Sequence, residues 1–377
     1  MTDNVPGDSP VSRRTLLQGL VLAAPFTRDA VSRLLLREPR ASLSGGPRGG
    51  ELRLVPRPTR IYATLDASHE RTESWILWIM VESDRARELT ADALTLRMRA
   101  KGTVVKTTVV RDAGLDAVVL RAGLTPTLPD GSAPPPSTTW HMRLRIRCTE
   151  PIAAGVDSMD VELDLDEAGT RLRASGSFPV EHYEQKTPLI FTFKGPALVT
   201  QGGITNGGHA NRSGQFALDV IGLTETYGAQ LPGIPGGRSE SYAGWGRTLV
   251  APAAGTIVRA RSNRPDQPDP ETSDPKYYAP EYPRNGDPGN HLVIDHGNGE
   301  FSMMAHFQAG SMLVAVGDRV AQGQPVGKLG SSGDTVTPHS HYQLQSGPDW
   351  ENSDGLPCRF SNVSTSPLVR GALFDAK

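Results

Sequence analysis

From Glu51 onward the chain alternates apolar and polar residues with a period of two. In WHMRLRIRC, Met142, Leu144 and Ile146 fall on one side and the arginines on the other. MDVELDLDEAGTRLRASGSF repeats the pattern, with Val161, Leu163 and Leu165 inward and a turn at Glu167-Ala168-Gly169. ALTLRMRAKGTVVKTTVVRD reads as two strands around Lys101-Gly102, and SWILWIMVES as one apolar strand. Successive side chains on a strand point to opposite faces, so this alternation predicts antiparallel strands with one buried face. Residues 51–182 are predicted to form a small β-sandwich, for which an immunoglobulin-like topology is one model. LPDGSAPPPSTT interrupts it as an exposed proline-rich loop. The region offers no chemistry, and its histidines, His69, His141 and His182, read as structural or solvent-facing.

After Tyr183 the pattern changes. Residues 197–215 are rich in glycine, asparagine and serine. Short apolar strands follow in GRTLVAPAAGTIVRAR, NHLVIDHGNGEFSMMAHF and SMLVAVGDRVAQGQPVGKLG, with a hairpin signal at Asn298-Gly299. The stretch from Ser262 to Gly289 is rich in proline and acidic residues and has no apolar period. So long an insertion in a compact domain is expected to be either functional, as one wall of a cleft, or mobile. The expected class is all-β: the sandwich, then a second antiparallel β-domain over residues 183–377.

Composition narrows the possibilities. At 377 residues the chain exceeds what one hydrophobic core usually serves, which predicts two domains. A formal net charge of −2 without a basic stripe excludes a typical nucleic-acid binder. Two cysteines, Cys148 and Cys358, are too few for a disulfide framework, and the sequence leaves their pairing open. At the N-terminus, Arg13-Arg14 precede a short, mildly apolar run from Leu16 to Phe26. The run is shorter than the ~20 residues of a membrane span. Residues 1–50 therefore read as a twin-arginine-like export signal and linker. That implies a protein of the periplasm, envelope or extracellular space, with no stable transmembrane segment beyond the signal.

Six of the nine histidines lie between His209 and His341. TPHSHYQLQ sets His339 and His341 two residues apart, on one face of a strand. QFALDVIGL puts Asp219 at the end of an alternating strand, and FSMMAHFQ puts His306 at a strand end. Two imidazoles aimed into one pocket suit a metal site in which one ligates and the other stands back toward substrate. His296 reads as a turn residue bonded to backbone. His291 is a strand-face imidazole or a cleft residue. Tyr342 and Trp350 read as packing.

These segments, from about Thr200 to Gln345, closely resemble the lysostaphin/LytM-type zinc metallopeptidases. The strand APAAGTIVRA, the stretch VGDRVAQGQPVGKLGSSG and the final His-x-His carry the likeness in that order. The resemblance implies an antiparallel β-fold with a groove. It implies zinc as cofactor, cell-wall peptide or another peptide as substrate, and hydrolysis through a metal-activated water. By position it makes Asp219 and His341 zinc ligands, and His306 and His339 the two catalytic histidines.

One departure matters. The first ligand of the family is a histidine four residues before the aspartate, and here that position is Gln215. A neutral amide binds zinc weakly beside an imidazole. Two readings stay open. His209, in the glycine-rich stretch NGGHANRSGQ, folds back as the third ligand, with Gln215 a substitute ligand or site residue. Alternatively the site is degenerate, and the protein is a non-catalytic binding or regulatory module for the cell wall or a wall hydrolase.

Overall fold

The computed structural model describes residues 52–377 apart from 57–60, 66–70, 84–87, 122–138, 203–208, 210–212, 282–285 and 351–352. The export signal and the proline-rich loop expected from the sequence lie outside the described residues.

The alternating segments of the first half form β1 (Arg53–Pro56), β2 (Ile61–Leu65), β3 (Thr72–Ser83), β4 (Thr90–Ala100), β5 (Thr103–Val110), β6 (Val119–Arg121), β7 (Thr139–Pro151), β8 (Ser158–Glu167) and β9 (Thr170–His182). One short helix, α1 (Asp112–Val118), crosses between β5 and β6. The hydrogen-bonded order is β5-β4-β8-β9-β2-β3-β7-β6, with β1 on β3. Every pair is antiparallel except β2 with β9, which joins two antiparallel groups into one path. The six residues expected to face inward on β7 and β8 lie in one core with Trp75, Leu77, Leu94 and Phe178. The opposite face of β4, β8 and β9 carries ion pairs such as Arg99–Asp160 and Arg173–Asp164. Such exposed pairs are screened by solvent and add little to the pairing.

The second half forms β10 (Gly195–Gly202), β11 (Leu218–Gly222), β12 (Thr248–Val250), β13 (Gly255–Arg261), β14 (His291–Asp295), β15 (Phe301–Ala305), β16 (Arg319–Val320), β17 (Pro325–Lys328), β18 (Ser340–Gln345), β19 (Gly355–Leu356) and β20 (Leu373–Ala376). Their sheet runs β16-β13-β14-β15-β18-β11-β10-β20, with β19 on β18 and a separate β12-β17 pair. β18 sits near the middle, between β15 and β11. One face of this sheet sends Val220, Ile294, Met304, Tyr342 and Leu344 into a large core. The other face carries Asp219 and His341 beside a small apolar cluster of Val293, Met303 and Ala305. The strand period of two thus separates packing from chemistry on the same strands.

The two halves touch. Tyr62 and Ile76 of the first sheet pack into the core of the second. The Tyr62 ring lies 5.4 Å from that of Tyr183 and 6.2 Å from that of Phe216. The connector between the sheets is latched by the fully buried Glu300, from the β14–β15 loop. Its Oε1 accepts from the Tyr183 hydroxyl and the Lys186 N–H, and its Oε2 from the Thr187 N–H.

The described part of the insertion before β14 is pinned at several points. The Gln267 N–H donates to Ser331 O at 2.8 Å, and its side-chain amide donates to Gly333 O at 2.6 Å. The Tyr278 hydroxyl donates to Asp334 Oδ1 at 2.7 Å. At its exit two backbones cross. A Cβ on Gly289 would lie 2.2 Å from Ser332 O, and one on Gly333 would lie 2.4 Å from Gly289 N. Both have positive φ, so glycine is required there on two counts. Cys148 lies in the first core and Cys358 beside the second, and both are free thiols. Among the described residues no helix is long and apolar enough to cross a membrane.

Candidate metal centre

The registers of three strands assemble the site. Asp219 on β11 pairs directly with His341 on β18, and Ala305 on β15 pairs with His341 from the other side. Asp219 stands near the start of its strand, not at its end as the sequence pattern suggests. His306 follows β15 immediately, and His339 immediately precedes β18. His209 reaches the same spot from the glycine-rich stretch before β11. All four imidazoles and the carboxylate are close to buried. Ring centroids are 4.8 Å apart for His209 and His341, 4.7 Å for His306 and His339, and 5.9 Å for His306 and His341.

Asp219 is the hub. Its Oδ2 lies 3.2 Å from His209 Nε2, and its Oδ1 lies 2.9 Å from His341 Nδ1 and 3.4 Å from His339 Nε2. His209, Asp219 and His341 each offer a ligand atom, and the three atoms lie within 4.8 Å of one another. Burial disfavours charge on Asp219, but the imidazoles of His209 and His339 hold it well below the usual carboxylate range. A buried carboxylate ringed by nitrogens is balanced only by positive charge between them, from a proton or a metal cation. The donor set of two imidazoles and one carboxylate suits zinc, with room for a further ligand. Among the described residues, His209 Nδ1 and both amide atoms of Gln215 are buried without a partner. The residues present therefore fit a metal ion.

The other two histidines have fixed tautomers. His306 Nδ1 lies 2.8 Å from Ser332 O, and His339 Nδ1 lies 2.7 Å from Thr337 O. A carbonyl oxygen only accepts, so each Nδ1 carries a proton; Nε2 of neutral His306 is then a lone pair, while Nε2 of His339 faces the Asp219 carboxylate, which favours a proton there as well. Burial, then the neighbouring rings of His339 and His341, push the pKa of His306 far down. Burial also opposes charge on His339, but Asp219 outweighs it and raises the pKa. His306 has a left-handed φ of 62°, a strained conformation for a side chain of this size. Its N–H is held by Pro288 O at 3.2 Å and its C=O by the Gly330 N–H at 3.1 Å, on either side of the backbone crossing.

The remaining predicted residues lie apart from the hub. His296 is bonded through Nδ1 to Ala254 O and through Nε2 to Ser302 Oγ. His291 lies buried on β14 with its Nδ1 bonded to Gly289 O. Tyr342 packs in the large core and Trp350 against the small cluster. Sequence reasoning missed Thr337 and Ser332, because backbone carbonyls leave no mark in the pattern. It also missed Gln343 and Gln345, which share the strand face of His339 and His341 and were legible from the alternation alone.

Residues 241–353 match the family model described as Peptidase family M23. Among curated proteins, 56 residues are 42% identical to the peptidoglycan DD-endopeptidase ShyC of Vibrio cholerae, covering 15% of this chain and 12% of that one. The match to the peptidoglycan DD-endopeptidase ShyA of the same organism is 39% identical over 56 residues, or 13% of its length. Among solved structures, the catalytic domain of the prophage-encoded M23 protein EnpA from Enterococcus faecalis is 19% identical, with 46% of this chain and 92% of that one covered at a TM-score of 0.25. A zinc-containing peptidase from Vibrio cholerae is 12% identical, with 80% and 85% covered at a TM-score of 0.26.

Proposed function

We propose that this chain, which carries a peptidase family M23 domain over residues 241–353, is an exported zinc metallopeptidase that hydrolyses peptide bonds in bacterial cell-wall peptidoglycan. The observation that carries the reading is the convergence of His209 and His341 on Asp219, which supplies three ligand atoms although Gln215 occupies the position of the expected histidine. Residues 51–182 and 183–377 act as its two working units, and Arg13-Arg14 with the following apolar run direct export.

In this reading Asp219, His341 and His209 hold zinc, and Gln215 lines the site. Bound zinc supplies a Lewis acid that makes water a nucleophile near neutral pH. His306 and His339 supply the proton chemistry through Nε2. Each is an acceptor for a proton from the attacking water. Once protonated, each donates to the oxyanion at the scissile carbonyl or returns the proton to the leaving amine. The pull of Asp219 on His339 weakens once the carboxylate is committed to a cation, which leaves His339 free to cycle.

Gln215 also favours a second reading, a wall-binding module without turnover. Elemental analysis of the full chain separates the two. About one zinc per chain, lost in His209→Ala, Asp219→Ala and His341→Ala, supports the peptidase. No zinc at micromolar supply sinks it. The paired assay is digestion of isolated wall material against a panel of soluble peptides. Hydrolysis abolished by a chelator and restored by zinc is expected on the wall material.

A further inference from the structure

His341, Gln343 and Gln345 occupy every second position of β18 and so share a face, and His339 stands just before it. The two glutamines are almost fully buried. Met303 and Phe301 stand opposite them in register on β15. A buried amide in such surroundings must find partners, and here they form a chain. Gln345 Nε2 donates to Gly347 O at 2.7 Å. Gln343 Nε2 donates to Gln345 Oε1. Gln343 Oε1 then faces His341 Nε2 at 3.0 Å.

The direction of this chain follows from its end. Gly347 O is a carbonyl and only accepts, so Gln345 must turn its NH2 toward it and its oxygen toward Gln343. Gln343 must then turn its own NH2 toward Gln345 and its oxygen toward His341. The only hydrogen left to fill the last gap is on His341 Nε2. In a neutral ring Nδ1 is consequently a lone pair, 2.9 Å from the carboxylate of Asp219. Two acceptors face each other, and a cation between them relieves the contact.

We propose that Gln343 and Gln345 are positioning residues that lock His341 in the Nε2–H tautomer and so commit its Nδ1 to a divalent cation. The inference rests on the metal-site reading above. It differs from a packing role in a checkable way. A carboxylate at position 343 accepts from His341 whichever way it turns; its second oxygen would meet Gln345 Oε1, so the direction imposed by Gln345 becomes irrelevant once Gln345 is replaced with it.

The experiment measures zinc affinity of the full chain by competition with a chromophoric chelator, with the absorption spectrum of the cobalt-loaded protein and the melting of the metal-free protein alongside. Gln343→Met is expected to weaken zinc binding about tenfold or more, and Gln345→Met, which touches no ligand, by several-fold. The double variant Gln343→Glu with Gln345→Met retains parental affinity or exceeds it. Gln345→Met thus weakens binding in the parent but not in the Gln343→Glu background, a coupling that a packing defect does not produce. The cobalt spectrum shifts in Gln343→Met and returns in the double variant. Should Gln343→Met fail to fold, the two Gln345→Met comparisons carry the same contrast. A parent that takes no zinc overturns the metal reading and this one with it. A parent that binds zinc, with equal losses in Gln343→Met and in the double variant Gln343→Glu with Gln345→Met, or with Gln345→Met equally harmful in both backgrounds, overturns the relay alone.

Discussion

His306 and His339 differ from the three groups at the hub in one respect: their Nδ1 protons are spent on backbone carbonyls, and only Nε2 faces the site. Replacing either by alanine should therefore leave zinc content near parental while hydrolysis falls by about 10²–10⁴-fold. Loss of zinc in His306→Ala, measured by elemental analysis, would move that residue into the ligand set. The residue types of the hub were legible in the sequence, because His-x-His and the aspartate recur at fixed places in a recognisable order. The tautomers were not. They depend on carbonyls of Ser332 and Thr337 that any residue type supplies. The role of His209 was legible only as an option, since nothing in a glycine-rich stretch dictates where it turns.

At the scale of elements, Glu300 is the clearest case of a side chain holding one segment to another. Burial would raise its pKa, but the donors of Lys186, Thr187 and Tyr183 outweigh that and lower it. A depressed carboxyl contributes stability that is fully present above its unfolded value, about 4.3, and is lost as pH falls through the folded value. Glu300→Gln turns an NH2 toward N–H donors and should cost roughly 1–3 kcal/mol at neutral pH. The cost should shrink below about pH 4, where the parent loses the same interaction. Chemical denaturation of both proteins across that range checks it. An undiminished difference at low pH would assign the loss to packing. The crossing of Gly289 and Gly333 gives a second test. Gly289→Ala forces apart the strands that hold the strained His306, and activity should fall more than thermal stability does. The strands themselves were readable to within a few residues, because alternation is a local property. The insertion was readable only as an exception to it. Its anchors, Gln267, Tyr278 and Asp334, pair across the chain and carry no local signal.

For the whole molecule, the question is what the first half does for the second. Tyr62 and Ile76 sit in the larger core beside Phe216, which follows Gln215 directly. The first sheet thus buttresses the segment that carries part of the site. Tyr62→Ala removes a buried ring and should cost roughly 3 kcal/mol. If the buttress matters to the site, the variant should also bind zinc more weakly than the parent. Calorimetry with a zinc titration tests both, and unchanged zinc affinity would confine the first sheet to another task. This contact was invisible in the sequence, where Tyr62 is one apolar residue in a short strand.

β18 has a consequence for what changes the chain tolerates. Its odd positions carry His341 and the two amides, and Tyr342 and Leu344 at its even positions enter the core, so it is read in a frame of two. A substitution there alters one letter. A single-residue deletion inside Ser340–Gln345 would put the residues on one side of it out of frame, turning core side chains outward or burying the amides in hydrocarbon. Homologous chains should therefore vary in length in the loop at 333–338, where no frame is kept, and not inside the strand.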